Sequence, residues 1–159
     1  MLRIFKSPAF RDPQLGEFGR SRGYWRGKLE LGGRIVPLAL VGGRSEPDAQ
    51  ALQLARTVPS SFTTAWRPTV AAALFEHYQP YAQALAAGEA LEPSTPIPSI
   101  GAPEDVWLHT VLAFVTVAPV DRELAIEFGF TTAWDEEHTL GVRFQNGELL
   151  ELNGSVLAP

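Results

Sequence analysis

The spacing of apolar positions divides the chain into strands, then helices, then strands again. Leu2 to Phe5 suits a short first strand. Pro8, Pro13 and Gly16 interrupt the stretch that follows, which reads as irregular. Tyr24-Trp25-Arg26-Gly27-Lys28-Leu29-Glu30-Leu31 alternates with a period near two, and a second run, Arg34 to Val41, begins after Gly32-Gly33. Two such runs around a Gly-Gly pair predict a β-hairpin. Pro37 has no amide hydrogen for a ladder, so the second strand belongs at an edge or at a bulge.

The period then lengthens. Ser45-Glu46-Pro47-Asp48 reads as a helix start, with Ser45 as the cap, Pro47 in the first turn and the acids at the positive helix end. A helix over Glu46–Thr57 would bury Ala51, Leu52, Ala55 and Val58, and Pro59 would end it. A second helical region runs from about Ser60 to Ala87, divided by Pro68. Within it Val70, Leu74, Tyr78, Tyr81 and Leu85 recur at helical spacing; Pro80 removes one backbone bond, and Gly88 is the stop. Prolines 93, 96, 98 and 103 mark Glu89–Pro103 as an ordered crossover.

From Asp105 the pattern is β-rich again. Val106–Val117 reads as a long strand, Pro119-Val120-Asp121 as a turn, and Arg122–Thr132 as a strand with Leu124, Ile126, Phe128 and Phe130 on one face. His138–Phe144 and Leu149–Leu152 form a last hairpin around Asn146-Gly147. No internal repeat is visible. The expected fold is α+β, one domain over residues 1–159: an antiparallel sheet of about six to seven strands, with two or three helices inserted mid-chain and packed on one face.

Composition narrows the function. The 159 residues are 45% hydrophobic, enough for a packed core, and no apolar run approaches the roughly 20 residues of a membrane span. The polar start, Met1 to Lys6, lacks a signal-peptide pattern, so a cytoplasmic location is expected. With no cysteine there is no disulfide, thiolate metal site or cysteine nucleophile. Residues 1–44 hold nine Arg/Lys against three acids; residues 45–159 hold four against fifteen. Either the two parts attract each other within one domain, or the surface is polarised and steers a charged partner.

The densest polar stretch is Trp134-Asp135-Glu136-Glu137-His138. In an extended segment Asp135 and Glu137 would share one face and Glu136 and His138 the other. The first pair suits a hard cation, and the second an acid–base pair; the plainer alternative has Trp134 anchoring a strand end while the acids face water. His77, His109 and His138 match no metal-binding spacing, and no cofactor is expected. Ser155 and Ser60-Ser61 lack a nucleophile motif, and no phosphate-cradling glycine pattern is present. Arg20, Arg22, Arg26 and Lys28 interleave with Phe18, Tyr24 and Trp25, a mixture that suits nucleic acid or, given the acidic total, a protein interface.

Residues Trp134–Phe144, WDEEHTLGVRF, resemble the C-terminal motif of small bacterial domains of unknown function, in which Trp-Asp-x-Glu-His-(Gly/Thr)-Leu-Gly closes a sheet. Leu15-Gly16…Tyr24-Trp25-x-Gly27 and Leu152-Asn153-Gly154-Ser155-Val156 fit the same pattern, while Thr139 stands where glycine is common. Several such families are similar to immunity proteins of polymorphic toxin systems. The resemblance carries no catalytic residue with it. It implies a non-enzymatic domain that binds a protein partner, such as a toxin, through Trp134, Asp135, Glu136, Glu137 and His138, with Glu104 and Asp105 alongside. A metal-assisted hydrolase using the same cluster is the alternative, and a nucleic-acid binder through Arg20–Lys28 the third reading.

Overall fold

The computed structural model describes residues 8–89 and 96–159, so the strand expected at Leu2–Phe5 lies outside the described residues. Four strands come first: β1 (Ala9–Asp12), β2 (Gly16–Ser21), β3 (Tyr24–Leu31) and β4 (Arg34–Leu40). A helical run follows, made of α1 (Ala49–Ser61), a π-helical turn (Phe62–Trp66) and α2 (Arg67–Ala86). After a 3-10 helix (Pro103–His109) the chain returns as β5 (Thr110–Val120), β6 (Glu123–Thr132), β7 (Thr139–Gln145) and β8 (Glu148–Val156). All eight strands join one sheet in chain order.

The expected antiparallel sheet of six to seven strands with two or three helices is corrected on three points. Among the described residues the sheet has eight strands. It is mixed, because β4 pairs with β5 in parallel through Leu38–Leu40 and Val115–Val117. A tight turn joins only antiparallel neighbours, whereas here the whole helical run links β4 to β5 and permits the parallel pairing. The helical part is one continuous run, broken only by the π turn.

Two of the strands arise where the sequence reads as irregular. Pro8 precedes β1 and Pro13 occupies the turn, so neither removes a ladder donor, and Gly16 opens β2 at φ +84°. Asp12, only 1% exposed, closes this corner: one carboxylate oxygen accepts the amides of Gln14 (2.9 Å) and Leu15 (2.8 Å), and the other takes the Arg56 guanidinium of α1. Those bonds, Arg56 foremost, hold the Asp12 carboxyl below the usual carboxylate range.

The β3–β4 hairpin forms around Gly32 and Gly33, both at positive φ. Pro37 is tolerated because pairing with β5 starts only at Leu38, which leaves β4 an edge strand at that point. Helix α1 starts later than Ser45 suggests: the Asp48 side chain caps it by accepting from the Ala51 amide at 2.9 Å. Pro59 does not end the helix. The run widens into the π turn, where the Arg67 amide reaches back to the Phe62 carbonyl. Pro68 then falls in the first turn of α2, where its missing donor is least costly. Further on, residues 103–109 are 3-10 helix where a strand was expected from Val106, and the turn after β5 is made by Asp121 and Arg122, both at positive φ.

One sheet face carries the core. Phe62 and Trp66, four residues apart across the π turn, meet Phe128 and Phe144 of the sheet; Trp66 stacks on Phe144 with ring centroids 4.5 Å apart. Trp25, Leu40, Val115, Val117, Ile126, Phe130 and Val142 complete the sheet side, and Ala51, Ala55, Val58, Val70 and Leu74 the helical side. On the opposite face, Gly129 makes room for Phe114, whose ring lies 2.3 Å from where a Cβ would stand. Gly129→Ala should therefore destabilise the protein by about 1–3 kcal/mol through overpacking. Phe114→Leu in the same chain should recover part of that loss. Urea midpoints of the two variants test this, and a Gly129→Ala midpoint equal to wild type would mean that Phe114 does not sit there.

Candidate functional site

Residues 133–138 connect β6 to β7, and two turns of α2 face them. The Ala133 amide donates to the His109 carbonyl (2.9 Å), which fixes where the loop leaves the sheet. Trp134 is 2% exposed. Its ring packs edge-on to Tyr78 at 5.5 Å, and its indole N–H donates to His77 Nδ1 at 3.1 Å. His77 must therefore keep Nδ1 unprotonated and carry its proton on Nε2.

Asp135 is 8% exposed and fully engaged. Its amide donates to Thr132 Oγ1 (3.2 Å), Oδ2 accepts from the Tyr81 hydroxyl (2.9 Å), and Oδ1 lies 2.9 Å from His138 Nδ1. His77 and Tyr81 are one helical turn apart on α2, so both face the loop, with ring centroids 5.7 Å apart. Glu136, Glu137 and His138 project from this base and are exposed. The His138 side chain is 45% exposed, and with Nδ1 turned to Asp135 its Nε2 is the nitrogen left to meet another molecule.

Burial holds the His77 imidazole below its usual range; the Asp135 charge opposes that shift and the His138 charge adds to it. Tyr81 is pushed up to about 12, first by burial, then by its hydrogen bond to Asp135 and the charges of Asp135 and Glu137.

The segment is bent, not extended, and that changes the pairing expected from alternation. Asp135 points inward, apart from the exposed Glu137, and His138 returns to Asp135 across three residues. No group of three or more His, Asp or Glu side chains among the described residues is placed to hold a metal ion. Glu104 belongs elsewhere: it accepts from the Trp107 indole (3.1 Å) and lies 4.0 Å from Arg67, fourteen residues before Tyr81 on α2 and thus roughly 20 Å along the helix. Asp105 is exposed beside it on the 3-10 helix. His77, Tyr81 and Thr132 were not expected in the site. The one signal for the first two is their i, i+4 spacing next to the buried Tyr78.

The basic strand is also placed. Phe18 and Trp25 are buried in the core, so they offer no ring face to a base. Arg20 donates to the Gly43 carbonyl, and Arg26 to the carbonyls of Ser21 and Pro159.

Residues 15–156 match the family DUF6985, a domain of unknown function. No curated protein and no solved structure matches the chain. No described helix is long and apolar enough to cross a membrane.

Two titrations test the buried base of the site. Since the folded pKa of His77 lies below its unfolded value, the unfolded chain takes up a proton first as pH falls. Stability should then drop below pH about 6.5 and level off once the folded imidazole also protonates. His77→Asn, which keeps an acceptor near the Trp134 indole, should flatten that fall in urea midpoints between pH 7 and 5.5; an unchanged slope would clear His77 of the effect. Separately, absorbance at 295 nm should show one tyrosine ionising near pH 12 that Tyr81→Phe removes. Loss of a lower step instead would contradict the Tyr81–Asp135 bond.

Proposed function

We propose, taking as premise that the chain belongs to the DUF6985 family, that it is a non-enzymatic cytoplasmic domain that binds a basic protein partner through the β6–β7 turn. One observation carries this reading: the exposed Glu136, Glu137 and His138 stand on a base fixed by Trp134–His77 and by Asp135 with Tyr81 and Thr132. Charged side chains held on a rigid turn lose little entropy on association and steer an oppositely charged surface toward them. The surplus of acids beyond residue 44 extends the same sign of field. A toxin neutralised by occlusion is the partner class that fits best, since occlusion needs only a charged, preorganised face.

A second reading has the Asp135–His138 contact in its favour, since a carboxylate on Nδ1 orients an imidazole whose Nε2 can reach solvent. Metal-assisted hydrolysis needs several ligands converging beside that pair, and no group of three or more His, Asp or Glu among the described residues does so. The binding reading is therefore preferred.

The test is co-expression with the product of the neighbouring gene. We expect a complex on gel filtration, an association rate that falls as salt rises, and a rate about three- to tenfold lower at low salt for Glu137→Lys. No complex and no protection of growth would end the immunity reading. A complex whose rate ignores both salt and Glu137→Lys would move the interface away from the turn.

A further inference from the structure

The sheet face opposite the helices carries a second polar arrangement. Strand register sets Arg26, Ala39, Thr116, Glu127, Arg143 and Glu151 side by side across six strands, β3 to β8. At one end Arg143 is satisfied by Glu127 (2.5 Å) and Glu151 (2.7 Å). At the other end the pairing is incomplete. Arg26 gives Nη1 to the Pro159 carbonyl (2.6 Å), but its Nη2 is buried with no partner among the described residues. Thr116, 6% exposed, likewise has a buried Oγ1 without a partner. Buried polar atoms left unpaired are costly, so each calls for an explanation.

Both residues line empty space. A cavity of about 220 Å³ beside Arg26 is walled by Pro37, Leu38, Ala39, Phe114, Ala158 and Pro159, all apolar. A second, of about 190 Å³, holds Thr116 with Tyr24, Glu127 and Arg143. Pro159 separates the two, lining each. The small residue Ala39 leaves the floor of the row open between Arg26 and Thr116.

We propose that this face is a binding site for a small aliphatic carboxylate. The carboxylate sits on the Arg26 guanidinium, whose free Nη2 and the Nη1 now on the Pro159 carbonyl together make a two-pronged donor. The aliphatic body packs against Pro37, Ala39 and Phe114. Thr116 Oγ1 marks the far limit, where the ligand reaches past Pro159. The residues Leu157–Pro159 occupy part of the same row and compete for Arg26. A cation has no place there, because Glu127 and Glu151 are already taken by Arg143.

The test is an amide-resolved NMR titration of the full chain with hexanoate, and with hexylamine as the oppositely charged control. Hexanoate should give saturable shifts at Ala39, Phe114 and Thr116, while hexylamine should give none. Arg26→Gln should weaken hexanoate by about tenfold or more. A chain ending at Val156 should bind hexanoate more tightly, since Arg26 Nη1 is released. The proposal is overturned if neither the full nor the shortened chain shows saturable hexanoate shifts. It is equally overturned if hexylamine matches hexanoate, or if a well-folded Arg26→Gln chain binds as wild type does.

Discussion

The structure depends on one helical run covering one face of a twisted eight-stranded sheet. The aromatic layer formed by Phe62 and Trp66 against Phe128 and Phe144 is where that cover is thickest. Each buried ring of this size contributes roughly 4–6 kcal/mol of transfer free energy before conformational entropy is counted. The π turn places two such rings on the sheet within one turn, and the Trp66 indole donates to the Gly147 carbonyl at 3.3 Å, tying the layer to the β7–β8 hairpin. With that layer in place, α2 cannot slide, and its C-terminal half is held over the loop between β6 and β7.

Everything at the β6–β7 turn follows from that placement. His77 and Tyr81 are ordinary helix positions until the sheet brings Trp134 and Asp135 beneath them. The buried indole and carboxylate then have partners, and the following residues are forced outward. An acidic run that could have been a loose solvated turn is thereby a fixed feature of the surface. The opposite face is organised differently: there the cross-strand register alone aligns Arg26 through Glu151, and small residues decide where space remains.

How much of this the sequence discloses varies with the range of the interaction. Local signals read true. Gly32-Gly33 and Asn146-Gly147 turn where expected, Ala51, Leu52, Ala55 and Val58 are the buried face of α1, and Gly88 stops α2 at φ +76°. Proline misleads where context relieves it: Pro13 lies in a turn and Pro59 within a helix, yet both read as breaks. The helical partners of Asp12 and Asp135, Arg56 and Tyr81, lie 44 and 54 residues away. Periodicity carries no information about such contacts, so the buried role of both acids was invisible. Alternation misassigned Asp135 and His138 for a related reason, since it presumes an extended backbone where the chain bends.

The parallel seam between β4 and β5 has a kinetic meaning. Each flank, β1–β4 and β5–β8, is a meander whose neighbours follow one another along the chain and close through short turns. The seam joins only three residues of each strand, Leu38–Leu40 to Val115–Val117, and its ends are separated by the entire helical segment. Loop-closure entropy makes that the slowest junction to form and local hairpins the quickest. The two meanders are thus expected to organise early and to be united last, when the helix docks across both.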